Sequence, residues 1–298
     1  MSYENTWGTQ DAFDRYEAVR HRMPDARFPD RTLECSGLVE IADHFDAFVL
    51  DSFGVLNVGE VAIPGAIECI QTLRSLGKRL VVLTNAASYT REVAVQRYRS
   101  LGFDFTPEEV VSSRDVAVSR LNDVLPDARW GAVAAPEDRF EDIPAQVAHW
   151  TGQDVDGFLL LSSAALNLDM VKRLETALAK QDRPVVVANP DLVAPRETGL
   201  SKEPGYYAHQ LADTLDMAPV FFGKPFGNAF DDARSRLAKI APHRTAMVGD
   251  TLHTEMLGGA GAHFRTVLVR DHGLFAGHAP EAFIELSGIR PDFSCATI

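Results

Sequence analysis

One stretch of this chain constrains its fold more than any other: Phe48-Val49-Leu50-Asp51-Ser52-Phe53-Gly54-Val55-Leu56. Its apolar stem lacks the alternation of a strand with one wet face, so it suits a strand buried on both sides, as in a parallel sheet covered by helices. Asp51 ends the stem and Gly54 follows. Such a residue lies at the carboxyl end of its strand, where open α/β sheets keep their ligand crevices. A buried charge is costly unless a cation or hydrogen bonds meet it. Taken alone, Asp51 also reads as a turn or N-cap aspartate.

The same arrangement recurs along the chain. Leu80-Val81-Val82-Leu83 ends at Thr84-Asn85, and Val220-Phe221-Phe222 is followed by Gly223-Lys224-Pro225. An apolar run over 245–248 is followed by Gly249-Asp250, with Glu255 five residues later. Between these runs, Ile67, Ile70, Leu73 and Leu76 sit at near-helical spacing, and Gly77 is placed as a stop. Thr90 is positioned to cap a helix ending near 101–102, and Val110-Val111 reads as a short strand. A second set then begins, with strands at 131–134, 157–161 and 184–188 and helices at 170–180 and 206–215. Helices near 230–240 and 254–261 and a strand at 267–269 complete the pattern. Alternation of this kind predicts an α/β fold with right-handed βαβ units and parallel sheets, the middle block forming a domain inserted into the first. Residues 1–44 read as a polar extension with some helical character, broken at Pro24, Pro29 and Gly37.

Bulk properties narrow the function. A formal charge of -13 argues against nucleic acid or an anionic membrane as partner, yet leaves room for a small anionic substrate at a local positive site. Cys35, Cys69 and Cys295 are widely spaced and show no CxxC pairing, which fits reduced thiols and a cytoplasmic location. The opening Met-Ser-Tyr-Glu-Asn-Thr-Trp is polar and acidic, unlike a signal peptide, and no apolar stretch approaches the ~20 residues of a membrane span.

The residues that end the apolar runs support a coherent chemistry. Asp51 and Asp250 could share Mg²⁺, a hard ion that prefers oxygen ligands and substrate phosphate. Thr84 offers a hydroxyl to a phosphate oxygen, and Lys224 a charge that offsets the acids and a transferring group. Asp51 could also act as a nucleophile. Each piece has an ordinary explanation: a solvated lysine, a Gly-Asp turn, a capping threonine. The ordered set, each member behind its own strand, is far harder to obtain by chance.

With these motifs in place, the chain resembles the haloacid dehalogenase (HAD) superfamily, in subclass IIA with a C2-type α/β cap, alongside phosphatases of the p-nitrophenyl phosphate and phosphoglycolate type. The likeness runs from about residue 45 to 275. It rests on the run Asp51 to Leu56, Ile63-Pro64-Gly65-Ala66, Leu83-Thr84-Asn85, Ala188-Asn189-Pro190-Asp191, Gly223-Lys224-Pro225 and Met247-Val248-Gly249-Asp250-Thr251. It implies a Rossmann-like core over 45–116 and 222–298, with a cap over 117–221. By resemblance, Asp51 is the nucleophile and a metal ligand, and Lys224 orients it and the phosphate. Thr84 and Asn85 belong to the phosphate loop. Asp250 and the more distant Glu255 serve Mg²⁺, Glu standing where the family usually has Asp. Asn189 and Asp191 lie in the cap segment facing substrate. Pairing of two chains through the cap is a further expectation of the family.

One departure matters. Family phosphatases carry Asp-x-Asp at the first motif, the second Asp serving as general acid and then base. Phe53 stands there and cannot transfer a proton, although its backbone carbonyl remains for the metal. Three readings compete: a slow phosphatase, or one whose acid comes from elsewhere, with His209 and His253 as candidates; a silent phosphate binder; and a carbon–halogen hydrolase. The last conflicts with retention of Asp250, Glu255, Lys224 and the large cap. A dinucleotide site at Gly258-Gly259-Ala260-Gly261 is weaker still, because those glycines fall late in a helix.

Overall fold

The computed structural model describes residues 7–196, 199–237 and 239–298. A seven-stranded sheet has the order Leu33–Glu34, Phe293–Cys295, Arg265–Val269, Thr245–Gly249, Ala47–Leu50, Arg79–Thr84, Val110–Ser112. Every pairing in it is parallel. From Ala47–Leu50 the chain first adds strands on one side. Thr245–Gly249 then pairs on the other side and the order reverses. The crevice of a doubly wound sheet opens at such a reversal, and Asp51 and Asp250 leave the two strands that flank it.

The alternation of side chains explains why these strands are apolar throughout. Phe48 and Leu50 join one core cluster, with Leu80, Val82, Val248 and Ile70, while Ala47 and Val49 join another on the opposite face. That second cluster holds the unexpected feature of the fold. It also contains Trp130, Ala132, Leu159 and Val186, from a second parallel sheet of five strands ordered Val220–Phe221, Val185–Val187, Gly157–Leu160, Arg129–Val133, Gln146–His149. The other face of this sheet packs Phe158, Leu160 and Val187 against the helices Leu168–Lys180 and Pro204–Leu215, through Leu174, Leu178, Ala208 and Leu211. Apolar packing is therefore continuous between the two sheets.

Local expectations mostly hold. Thr90 caps the helix Arg91–Ser100, and Gly77 follows the helix Ala66–Ser75 with φ of +73°. The helix expected near 254–261 instead opens as a π-turn, Leu252–Met256, before Leu257–Gly261. The segment before residue 45 is no loose appendage: Leu33–Glu34 is the edge strand of the larger sheet, and the helix Thr9–Val19 buries Ala12, Phe13, Tyr16 and Val19. All three cysteines are free thiols. Among the described residues, no helix is long and apolar enough to cross a membrane.

Candidate active site

Asp51 follows the buried strand Ala47–Leu50, and its backbone N–H donates to the carbonyl of Val248 on the neighbouring strand. Asp250 follows that neighbour. The turn after Asp51 depends on Gly54, whose φ is +85° and where a Cβ would come within 2.8 Å of Asp250 Cγ. Lys224 arrives from Gly223 and the strand Val220–Phe221, and is 1% exposed. Its ammonium donates to Asp51 Oδ1 and forms an ion pair with Glu255 Oε1 at 2.8 Å.

Glu255 reaches this point because of the π-turn. The Met256 N–H bonds back five residues to the carbonyl of Thr251, which is the wide spacing of such a turn. Glu255 Oε2 then accepts from the Thr251 N–H at 3.1 Å and the Thr254 hydroxyl at 2.7 Å. Asp250 accepts from the Leu274 N–H at 2.7 Å and from the Thr251 hydroxyl at 3.2 Å.

Asp51, Asp250 and Glu255 are all buried, and each brings a carboxylate oxygen to within 4.8 Å of the others'. Burial is the main cause that pushes Asp51 up to about 6; Lys224 opposes this and Glu255 adds to it. Burial, then Glu255 and Asp51, raise Asp250 well above the carboxylate range. Burial works against the charge on Lys224, but Asp51, Glu255 and Asp191 together hold its ammonium above the usual lysine value. Three crowded acids against one ammonium leave an excess of negative charge, and an all-oxygen donor set of this kind fits a hard divalent cation.

The remaining residues singled out from sequence converge on the same place. Asp51, Phe53, Thr84, Asn85, Asn189, Asp191, Asp250 and Glu255 all line one cavity of about 700 Å³. Asn85 is the hub. Its Oδ1 accepts the Lys224 N–H at 2.8 Å, and its Nδ2 donates to Lys224 O at 2.9 Å and to Asp191 Oδ1 at 2.8 Å. Thr84 is buried, its hydroxyl oxygen accepting from the Ala86 N–H at 3.2 Å. Asn189 Oδ1 accepts from the Asp191 N–H, and Asn189 Nδ2 donates to Glu203.

The two histidines are elsewhere. His209 stacks on Phe221 and burial pushes it down to about 3, while His253 pairs with Glu17 and stacks on Tyr16. Neither lines the cavity.

Sequence reasoning missed Arg196 and Glu203. A hairpin, Val193–Arg196 with Gly199–Lys202, carries Arg196 over the Phe53 ring at 5.3 Å. Glu203 Oε1 holds Arg196 at 2.8 Å and also accepts from Ser201. Pro195, which lacks a backbone donor, masks such a strand in the sequence.

Comparison with known proteins bears on this geometry. A family model described as haloacid dehalogenase-like hydrolase matches residues 48–142, and a HAD-hydrolase-like model matches residues 221–296. The two matched segments are those that carry Asp51, Thr84, Lys224, Asp250 and Glu255. The chain belongs to the HAD superfamily of hydrolases. This HAD hydrolase is 26% identical to phosphoglycolate phosphatase 2 of Arabidopsis thaliana, over 89% of this chain and 95% of that one. It is 28% identical to glycerol-3-phosphate phosphatase of Rattus norvegicus, over 75% of this chain and 78% of the relative. A structure described as a possible sugar phosphatase, from Cytophaga hutchinsonii, superimposes with a TM-score of 0.80 at 25% identity, covering 89% of this chain and 98% of that one.

Proposed function

We propose that this HAD hydrolase is a divalent-cation-dependent phosphatase that hydrolyses a small phosphorylated metabolite through an aspartyl-phosphate on Asp51. The observation that carries the reading is a buried carboxylate that pairs with a buried lysine and lines one cavity with two further acids, whose oxygens lie within 4.8 Å of its own. The relatives named for phosphoglycolate and glycerol 3-phosphate support a small phosphomonoester as substrate.

Asp51, Asp250 and Glu255, with the backbone carbonyl of Phe53, would hold Mg²⁺. When bound, the cation neutralises the acids and polarises the phosphoryl oxygens. Asp51 attacks phosphorus, and Lys224 keeps the attacking carboxylate in place while offsetting charge on the phosphoryl oxygens. Thr84 donates its hydroxyl to one of those oxygens. Asn85 fixes the backbone of Lys224 and so the position of its ammonium. Residues 117–221, taken as the cap, close the cavity from above and exclude water.

The test is phosphate release from p-nitrophenyl phosphate, whose leaving group needs little protonation. Release should require added Mg²⁺, stop with EDTA, and fall below detection in Asp51→Asn; a variant that keeps the wild-type rate excludes this mechanism. One observation favours a second reading, a silent phosphate binder: Phe53 offers no proton and its ring lies under Arg196. A binder would release nothing from p-nitrophenyl phosphate, yet its Tm would rise with Mg²⁺ and inorganic phosphate.

A further inference from the structure

The geometry points to Asp191 as the proton donor to the leaving group, in place of the carboxyl that Phe53 lacks. The inference rests on the phosphatase reading. Asp191 follows the strand Val185–Val187 and opens the hairpin that carries Arg196. It lines the same cavity as Asp51, which follows a strand of the other sheet. Its Oδ1 is fixed by Asn85, whose carboxamide also holds the backbone of Lys224. Its Oδ2 has no hydrogen-bond partner among the described residues, and the residue lines the cavity. One oxygen is thus oriented and the other is available.

Among the described residues, the other acids in reach are committed or wet. Glu203 accepts from Arg196, Ser201, Asn189 and Ser163, so both of its oxygens already face donors. Asp138 is bound by the buried Arg114. Glu137 and Glu141 are exposed to solvent. Charged and titratable groups facing Asp191 are Lys224, Glu255, Asp51 and Tyr16. Burial leads the causes that raise Asp191 well above the carboxylate range, with Glu255 and Asp51 adding to it and Lys224 and Asn85 opposing. The protonated carboxyl is thereby favoured toward neutral pH, as a general acid requires.

The step balances. Asp51 forms a bond to phosphorus as the bond from phosphorus to the leaving oxygen breaks, and that oxygen takes the Asp191 proton. Water then attacks the aspartyl-phosphate and gives a proton to the Asp191 carboxylate. The bond between Asp51 and phosphorus breaks, releasing inorganic phosphate and restoring both side chains.

The experiment compares p-nitrophenyl phosphate with phenyl phosphate, near in size but with a leaving group that depends on protonation. In Asp191→Asn the ratio of kcat/KM for the nitro compound to kcat/KM for phenyl phosphate, which reads only the steps up to departure of the leaving group, should rise about 10²-fold or more over wild type. Adding Phe53→Asp to that variant should return the ratio toward the wild-type value. An unchanged ratio in Asp191→Asn, whether both rates fall together or neither falls, overturns the assignment while leaving the phosphatase reading intact. Absence of release from either compound by the wild-type protein would remove both.

Discussion

Among the described residues, Asp250 is an acid without a cation of its own: Lys224 pairs with Asp51 and Glu255, and Asp250 has only N–H and O–H donors. In the cation-free protein its charge is therefore a liability. Folding raises the affinity of Asp250 and Asp51 for protons, so their contribution is complete below the usual carboxylate range and is lost as pH rises through the folded values, about 6 for Asp51. Asp250→Asn keeps the acceptor for Leu274 and removes the repulsion. In EDTA at pH 7.5 the variant should melt a few degrees above wild type, and the gap should close toward pH 4.5. A variant that melts at or below wild type at pH 7.5 contradicts this. Divalent cation should stabilise the wild type more at pH 7.5 than at pH 5, and the variant little at either. At this scale the sequence was informative wherever a polar residue ends an apolar run, as at Asp51, Thr84 and Asp250. Arg196 gave no such signal, because its role depends on a ring 143 positions away in the chain, at Phe53.

Elements explain what single residues do not. Glu255 belongs to the cluster because the π-turn Leu252–Met256 swings it back over Gly249, where a Cβ would stand 2.0 Å from Glu255 Cγ. Periodicity does not distinguish a π-turn from the first turn of an α-helix, so the sequence predicted the helix and not the device that aims Glu255. Gly249→Ala tests the coupling. The methyl group must displace Glu255, so affinity for divalent cation, read from Tm against Mg²⁺ concentration, should fall about tenfold or more. Equal affinity in variant and wild type would mean that Glu255 does not contribute to holding the ion. The five-stranded sheet shows the same limit at larger size. Its strands were legible from their apolar runs, but which face meets the other sheet was not, since Leu159 and Leu160 are equally apolar and pack into different clusters.

The whole molecule is tied together by the segment that looked least structured in sequence. The helix Thr9–Val19 touches both halves of the fold. The Thr9 hydroxyl donates to the carbonyl of Leu274, the residue whose N–H holds Asp250, and Glu17 pairs with His253. On the other side the Leu192 N–H, next to Asp191, donates to the Tyr16 hydroxyl oxygen at 3.1 Å, and Arg15 and Arg22 pair with Asp213 on the helix Pro204–Leu215. Its apolar stripe of Ala12, Phe13, Tyr16 and Val19 is short, and the prolines that follow mask it. Exposed pairs such as Arg15 with Asp213 contribute at most about 1 kcal/mol, so the apolar face must fasten the helix. Phe13 is 3% exposed and meets Phe283 edge-on at 4.9 Å, within the cluster that includes Leu252, Met256 and Leu274. Phe13→Ala should therefore cost about 3–5 kcal/mol, and Asp213→Ala no more than about 1 kcal/mol. Because the helix spans both halves, the loss should appear in calorimetry as one transition moved down by on the order of 10 °C. A small separate transition at low temperature, with the main one unmoved, would show instead that the helix comes away alone and leaves the site standing.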